Sequence, residues 1–180
     1  MCDSALSQMD YQNDLYPKSK LLYGFQTIYQ NAMNFGGNEN PRKTYFEKNG
    51  NSQTFEGRLG WQNKKIEITL NYNRITARER YLMPQEWGRD PFYTFVASQR
   101  NEGFGDVHTV MTKIQYTNPK KTFISHLAVG YFDLPDVKNI ALNKYGLPSY
   151  VQTNADIRYE FHGLLKGFDA QLLYVYKFNF

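Results

Sequence analysis

Ionisable side chains recur at alternate positions in several stretches of this chain, with apolar residues between them. Glu56 and Arg58 are set among Phe55, Gly57 and Leu59; Glu67 lies between Ile66 and Ile68. Lys113 precedes Ile114, His126 precedes Leu127, and Asp156, Arg158 and Glu160 alternate with Ile157, Tyr159 and Phe161. Successive side chains of an extended chain point to opposite faces, so these groups share one polar face whose reverse is apolar. Fixed charges of both signs along a wet wall sort passing solutes by charge and size. That chemistry makes and breaks no bonds. The three histidines, His108, His126 and His162, fall in separate stretches. The neighbours Ser125 and His126 point to opposite faces, so they cannot form a nucleophile–base pair. No cluster has the spacing of zinc or calcium ligands, and no glycine-rich loop has phosphate-cradling spacing. Cys2 is the single cysteine, which leaves no intrachain disulfide. The expectation is a non-enzyme with no cofactor and no bound metal. The net charge of +4 contains no long basic run, so nucleic acid is not an expected partner.

A second set of charges lies in one long irregular stretch, about 79–105, with its flank. Arg78, Arg80, Glu86, Arg89, Asp90, Arg100 and Glu102 stand there among glycines, prolines and aromatics. Such a loop is the first candidate to fold inward and narrow a passage. The alternative is a solvated outer loop whose charges pair with one another, a contact of small value.

The elements that hold these residues read as strands. Seven alternating stretches fall at about 20–30, 52–62, 65–76, 106–117, 122–132, 150–161 and 168–180. Residues 1–19 read as an irregular N-terminal segment, and 20–180 as one β-domain. The last stretch is the clearest: Phe168, Ala170, Leu172, Tyr174, Tyr176, Phe178 and Phe180 oppose Asp169, Gln171, Leu173, Val175, Lys177 and Asn179. A tilted strand of roughly 9–11 residues crosses a bilayer core. Aromatic residues make up 17% of the chain although its mean hydropathy is −0.65. A wall that is apolar outside and wet inside, belted by rings, reconciles the two values. A soluble sandwich or lipocalin-like barrel shares the periodicity. Connection lengths favour the membrane barrel: those at 63–64, 118–121 and 162–167 are short, and those at 31–50, 79–105 and 133–149 are long. Outer-membrane barrels alternate short periplasmic turns with long outer loops in this way. The rings agree, with Trp61, Tyr116, Phe123, Phe161 and Phe168 beside the short turns and Tyr72, Tyr131 and Tyr174 toward the long loops. No apolar run is long enough for a transmembrane helix.

The long stretch reads Arg80-Tyr-Leu-Met-Pro-Gln-Glu-Trp-Gly-Arg-Asp-Pro-Phe-Tyr-Thr-Phe95, then Arg100-Asn-Glu-Gly-Phe-Gly-Asp-Val-His108. It resembles the signature loop of OprD-type outer-membrane porins in a Bacteroidetes-like form. The turn Leu164-Leu-Lys-Gly-Phe168 is similar to a turn before a late strand of that family, with Leu164 where the family usually has Pro. The resemblance covers roughly residues 20–180. It implies a bacterial outer-membrane location, an antiparallel barrel of about 18 strands and a narrowed lumen. It also implies passive, partly selective diffusion of small hydrophilic solutes, often carboxylate-bearing. Arg58, Arg158 and the loop arginines would then form a basic track. The implied surroundings are the lipid bilayer and lipopolysaccharide, with the barrel-assembly machinery as a partner. A TonB-dependent receptor-type or other binding barrel, or a barrel hydrolase, is the competing reading.

Seven strands cannot close a bacterial barrel, which needs an even number and at least about eight. Nor do Met1–Ser4 begin a signal peptide, lacking a basic and then an apolar region. The expectation is therefore a partial porin chain.

Overall fold

The computed structural model describes residues 2–15, 18–33, 46–83 and 89–179. Eight strands form one antiparallel meander in which sequence neighbours are sheet neighbours. They are β1 (Cys2–Leu15), β2 (Ser19–Ala32), β3 (Asn51–Gln62), β4 (Ile66–Ile75), β5 (Val107–Thr117), β6 (Phe123–Asp133), β7 (Tyr150–Glu160) and β8 (Asp169–Asn179). The last seven fall where the alternation places them, within two residues at each end.

The first strand is a correction. The segment expected to be irregular pairs with β2 along its length, from Cys2 opposite Ala32 to Leu15 opposite Ser19. Its alternation is poor. Ala5, Met9, Tyr11 and Leu15 share a face with Asp3, Ser7 and Asn13, while Leu6 interrupts the polar face of Ser4, Gln8, Asp10 and Gln12. Backbone donors and acceptors build a ladder whatever the side chains are, and β2 supplies the partner edge. The strand count thus becomes eight, with a fourth short connection between β1 and β2.

Asparagines shape two of the short turns. Asn63 Oδ1 accepts from the N–H groups of Lys65 and Ile66, both at 2.8 Å. Asn118 Oδ1 accepts from Thr122 N–H at 2.8 Å and Phe123 N–H at 3.1 Å. These side chains replace the missing backbone partners at a reversal. Lys121, at φ 59°, takes the left-handed position of its turn. A single 3₁₀ turn, Gly163–Leu165, leads into β8.

The sheet is inverted relative to a soluble domain. Large apolar residues such as Phe25, Leu59, Leu70, Val129 and Leu172 stand exposed on one face. Gln26, Glu56, Asn73, Thr109 and Gln152 lie buried on the other. The stretch between β4 and β5 covers that polar face. Its Tyr81, Phe92 and Phe104 pack with Ile28, Ile75 and Val107 of the wall. A second cluster joins Met111, Ala128, Phe132 and Tyr150, with Val96 of the loop against it. β1 and β8 do not pair with each other, so the sheet keeps two edges.

Candidate functional site

The β4–β5 loop crosses the polar face, held by wall side chains that bond its backbone. Gln30 of β2 clasps Leu82 both ways: Nε2 donates to the carbonyl at 2.6 Å and Oε1 accepts from the N–H at 2.9 Å. Glu56 of β3 accepts from Tyr93 N–H at 2.6 Å. The Lys113 ammonium on β5 donates to Phe95 O at 2.8 Å. Gln152 and Asn154 of β7 both donate to Ala97 O, at 2.8 and 2.9 Å. Lys177 of β8 donates to Ser98 O at 2.6 Å. On the β1 side, Tyr93 Oη donates to Asp10 Oδ1 at 2.9 Å. Arg58 bonds the same oxygen at 2.5 Å, and its guanidinium lies 4.6 Å from the Tyr93 ring centroid. Six of the eight strands thus hold one loop.

Inside the loop, Tyr81 N–H donates to Phe104 O and Gly103 N–H to Tyr81 O, pinching its two ends together. Asp90 Oδ2 accepts from the backbone N–H and side-chain amide of Asn101, at 3.3 and 3.1 Å. Burial pushes the Asp90 carboxyl above the usual carboxylate range, against those hydrogen bonds. Burial and the hydrogen bond to Asp10 push the Tyr93 phenol up to about 12.

Beside the loop is a cavity of about 650 Å³. Arg58, Glu67, Lys113, His126 and Asp156 line it from the wall, and Arg89 from the loop. Register explains the grouping: Glu67 is opposite Gln115, Gln115 opposite His126, and His126 opposite Asp156. Four adjacent strands therefore place polar groups at one level. Gln62 donates to Glu67 at 2.9 Å, and Gln171 to both Asp156 oxygens at 2.9 Å. Both signs of charge face the space, and Arg58 and Lys113 are already engaged with Asp10 and the loop. No group of three metal-ligating side chains occurs among the described residues.

The other expected site residues lie elsewhere. Glu56 is 2% exposed beneath the loop. Arg158 pairs with Asp169 at 3.2 Å near a short turn, and Glu160 is exposed at the end of β7. Arg78 donates to Asn51 at 2.9 Å, and Arg100 to Tyr145 Oη at 3.1 Å, both away from the cavity lining. Arg80 and Glu102 are half-buried within the loop. Glu86 lies outside the described residues. Trp61, Tyr72, Tyr116, Phe123, Tyr131, Phe161, Phe168 and Tyr174 alternate in sequence with the polar face and stand half-exposed or exposed on its reverse. The sequence reading missed Asp10, Gln30, Gln152, Asn154 and Lys177. The neutral amides among them carry no charge to draw attention, but their polar-face positions near the long-loop ends of their strands mark them.

No family model matches the chain, and no curated protein matches it. The fold is similar to that of solved outer-membrane channels of the OprD/Occ type. With Pseudomonas aeruginosa OccK8 (OprE) the TM-score is 0.76 at 11% identity, over 98% of this chain and 47% of that one. With P. aeruginosa OccK5 (OpdH) it is 0.71 at 9% identity, over 99% of this chain and 46% of that one. With Acinetobacter baumannii OccAB2 it is 0.67 at 10% identity, over 99% and 42%. The chain spans under half the length of the structures it matches, and its fold is that of a segment of their barrel wall.

Proposed function

We propose that this chain is part of the wall of a bacterial outer-membrane porin through which small hydrophilic solutes diffuse passively. The observation that carries this reading is the β4–β5 loop, clasped across the polar face and leaving a charged cavity at its side. In this reading the exposed apolar face meets lipid, and the short turns face the periplasm. Further strands pair with the edges of β1 and β8, because unpaired backbone groups are not tolerated in the hydrocarbon core. The solutes carry a carboxylate: Arg89 attracts it, Arg58 and Lys113 add positive potential from their places on the wall, and Glu67 and Asp156 favour a second, cationic group on the same molecule. A related precedent is P. aeruginosa OpdK, solved with vanillate at 9% identity to this chain. The reading is of a passage and not a catalyst.

Planar-bilayer recordings on the closed barrel test this. Replacing Lys113 by Gln removes a cavity cation and shifts the reversal potential in a salt gradient toward cation preference. Replacing Glu67 by Gln shifts it the other way. Unchanged selectivity in both variants would sink the reading.

A further inference from the structure

The chain's net charge of +4 is not spread over the molecule. Sorted by the strand topology, nine bases in the long connections are matched by eight acids there and by Asp133 at the adjoining end of β6, and four bases elsewhere within the strands by four acids. The whole excess sits at the short-turn rim. There, seven lysines and Arg158 face only Asp14, Glu67, Glu160 and Asp169. Turns that merely needed solvation would show no such segregation, since acids solvate as well as bases.

Five of the lysines stand beside outward rings. Trp61 precedes Lys64 and Lys65; Tyr116 and Phe123 bracket Lys120 and Lys121; Phe161 and Phe168 bracket Lys166. The Tyr116 and Phe123 rings lie 6.2 Å apart across their turn. Aromatic side chains on the apolar face of a membrane protein settle at headgroup level. A lysine a few residues beyond extends its stem along the rings and sets its ammonium among the headgroup phosphates. Asn63 and Asn118 fix two of these turns through their side-chain bonds, so the lysines are presented from set backbones. Lys20 lies 4.0 Å from Asp14; the other six turn lysines have no ion pair among the described residues. They are free to meet an external anion.

We infer that the short-turn rim is a binding surface for anionic phospholipid headgroups in the leaflet it faces. Each exposed ammonium gains from a negatively charged bilayer surface, and the gains add around the rim. The inference rests on the membrane-wall reading above, and the test separates the two.

The closed barrel, with the further strands that pair the edges of β1 and β8, is refolded into phosphatidylcholine bilayers carrying trace spin-labelled phosphatidylglycerol or spin-labelled phosphatidylcholine, and the association of each label with the protein is compared. The expected result is a severalfold preference for phosphatidylglycerol that declines as salt is raised. A K120Q/K121Q variant lowers the preference toward equal association of the two labels, and adding K64Q/K65Q lowers it further. K138Q, on the opposite rim, leaves it unchanged. Circular dichroism confirms that each variant keeps its strands. Insertion with equal association of the two labels overturns the inference alone. A preference undiminished by loss of all four lysines also overturns it. Competition by inorganic phosphate at constant ionic strength would reassign the lysines to a soluble anion and overturn the lipid assignment. Failure of the closed barrel to enter any bilayer overturns the membrane-wall reading and this inference with it.

Discussion

Glu56 illustrates how a charge chosen for one role serves another. From the sequence it is one more carboxylate on a wet wall. In the fold it is buried and accepts the Tyr93 N–H at 2.6 Å, so it seats the loop. Glu56→Ala leaves that N–H without its acceptor, a loss of about 1–3 kcal/mol in loop docking. Faster hydrogen exchange at Tyr93 checks it, and Glu56→Gln, which keeps a carbonyl acceptor, should exchange nearly as slowly as the parent. Asp90 supplies a pH response. Burial raises its pKa in the folded protein, so ionisation costs docking free energy above that raised value. The cost is relieved as pH falls through the raised pKa and is gone below the ordinary value of 3.8, where Asp90 is neutral whether or not the loop is docked. Protection of loop amides, corrected for intrinsic exchange rates, should therefore rise on mild acidification, and Asp90→Asn should flatten that response. Which face each charge occupies was legible in the sequence, because period two is strict. Which charges remain open to solutes was not, because the partners of Arg58 and Lys113 come from Asp10 on a strand with a weak pattern and from a loop with no periodicity.

At the scale of elements, seven strands were legible because one face of each is apolar and the other polar. β1 was not, since its outward face carries Asp3, Ser7 and Asn13 and its ladder to β2 owes nothing to that pattern. Turn positions were legible as polar breaks between alternating runs, although the bonds that close them were not. The β5–β6 hairpin depends on Asn118, whose Oδ1 takes two backbone donors and whose Nδ2 donates to Thr122 Oγ1 at 2.9 Å. Asn118→Ala should cost about 1 kcal/mol, read as an earlier urea midpoint with an unchanged slope. The loop is also sensitive to one backbone position beneath it. A Cβ at Gly24 would stand 2.7 Å from Tyr93 Oη and 2.8 Å from Asp10 Oδ1. Gly24→Ala should displace the Tyr93 ring from Arg58 and speed proteolysis of the loop, with the strands unaffected by circular dichroism.

Across the whole molecule, the loop is a chord to the arc of the wall. Seven strand spacings separate β1 from β8, roughly 34 Å along a flat sheet. The loop residues bonded from those two strands, Tyr93 and Ser98, are five apart in sequence, a reach of at most roughly 18 Å. The difference is made up by the Tyr93 and Lys177 side chains and by the sheet bending around the loop. In the channel reading the two unpaired edges make these 180 residues alone a non-conductor. Stable single-channel steps from this chain alone, without further strands, would contradict that. The long spans of the chord also order events in time. Tyr93 bonds a residue 83 positions earlier, and Ser98 one 79 positions later. Contacts so remote in sequence carry the heaviest loop-closure cost and form late. The loop gains its full set of bonds only once the first and the eighth strands have both arrived, so its docking works as a checkpoint that registers this stretch of wall.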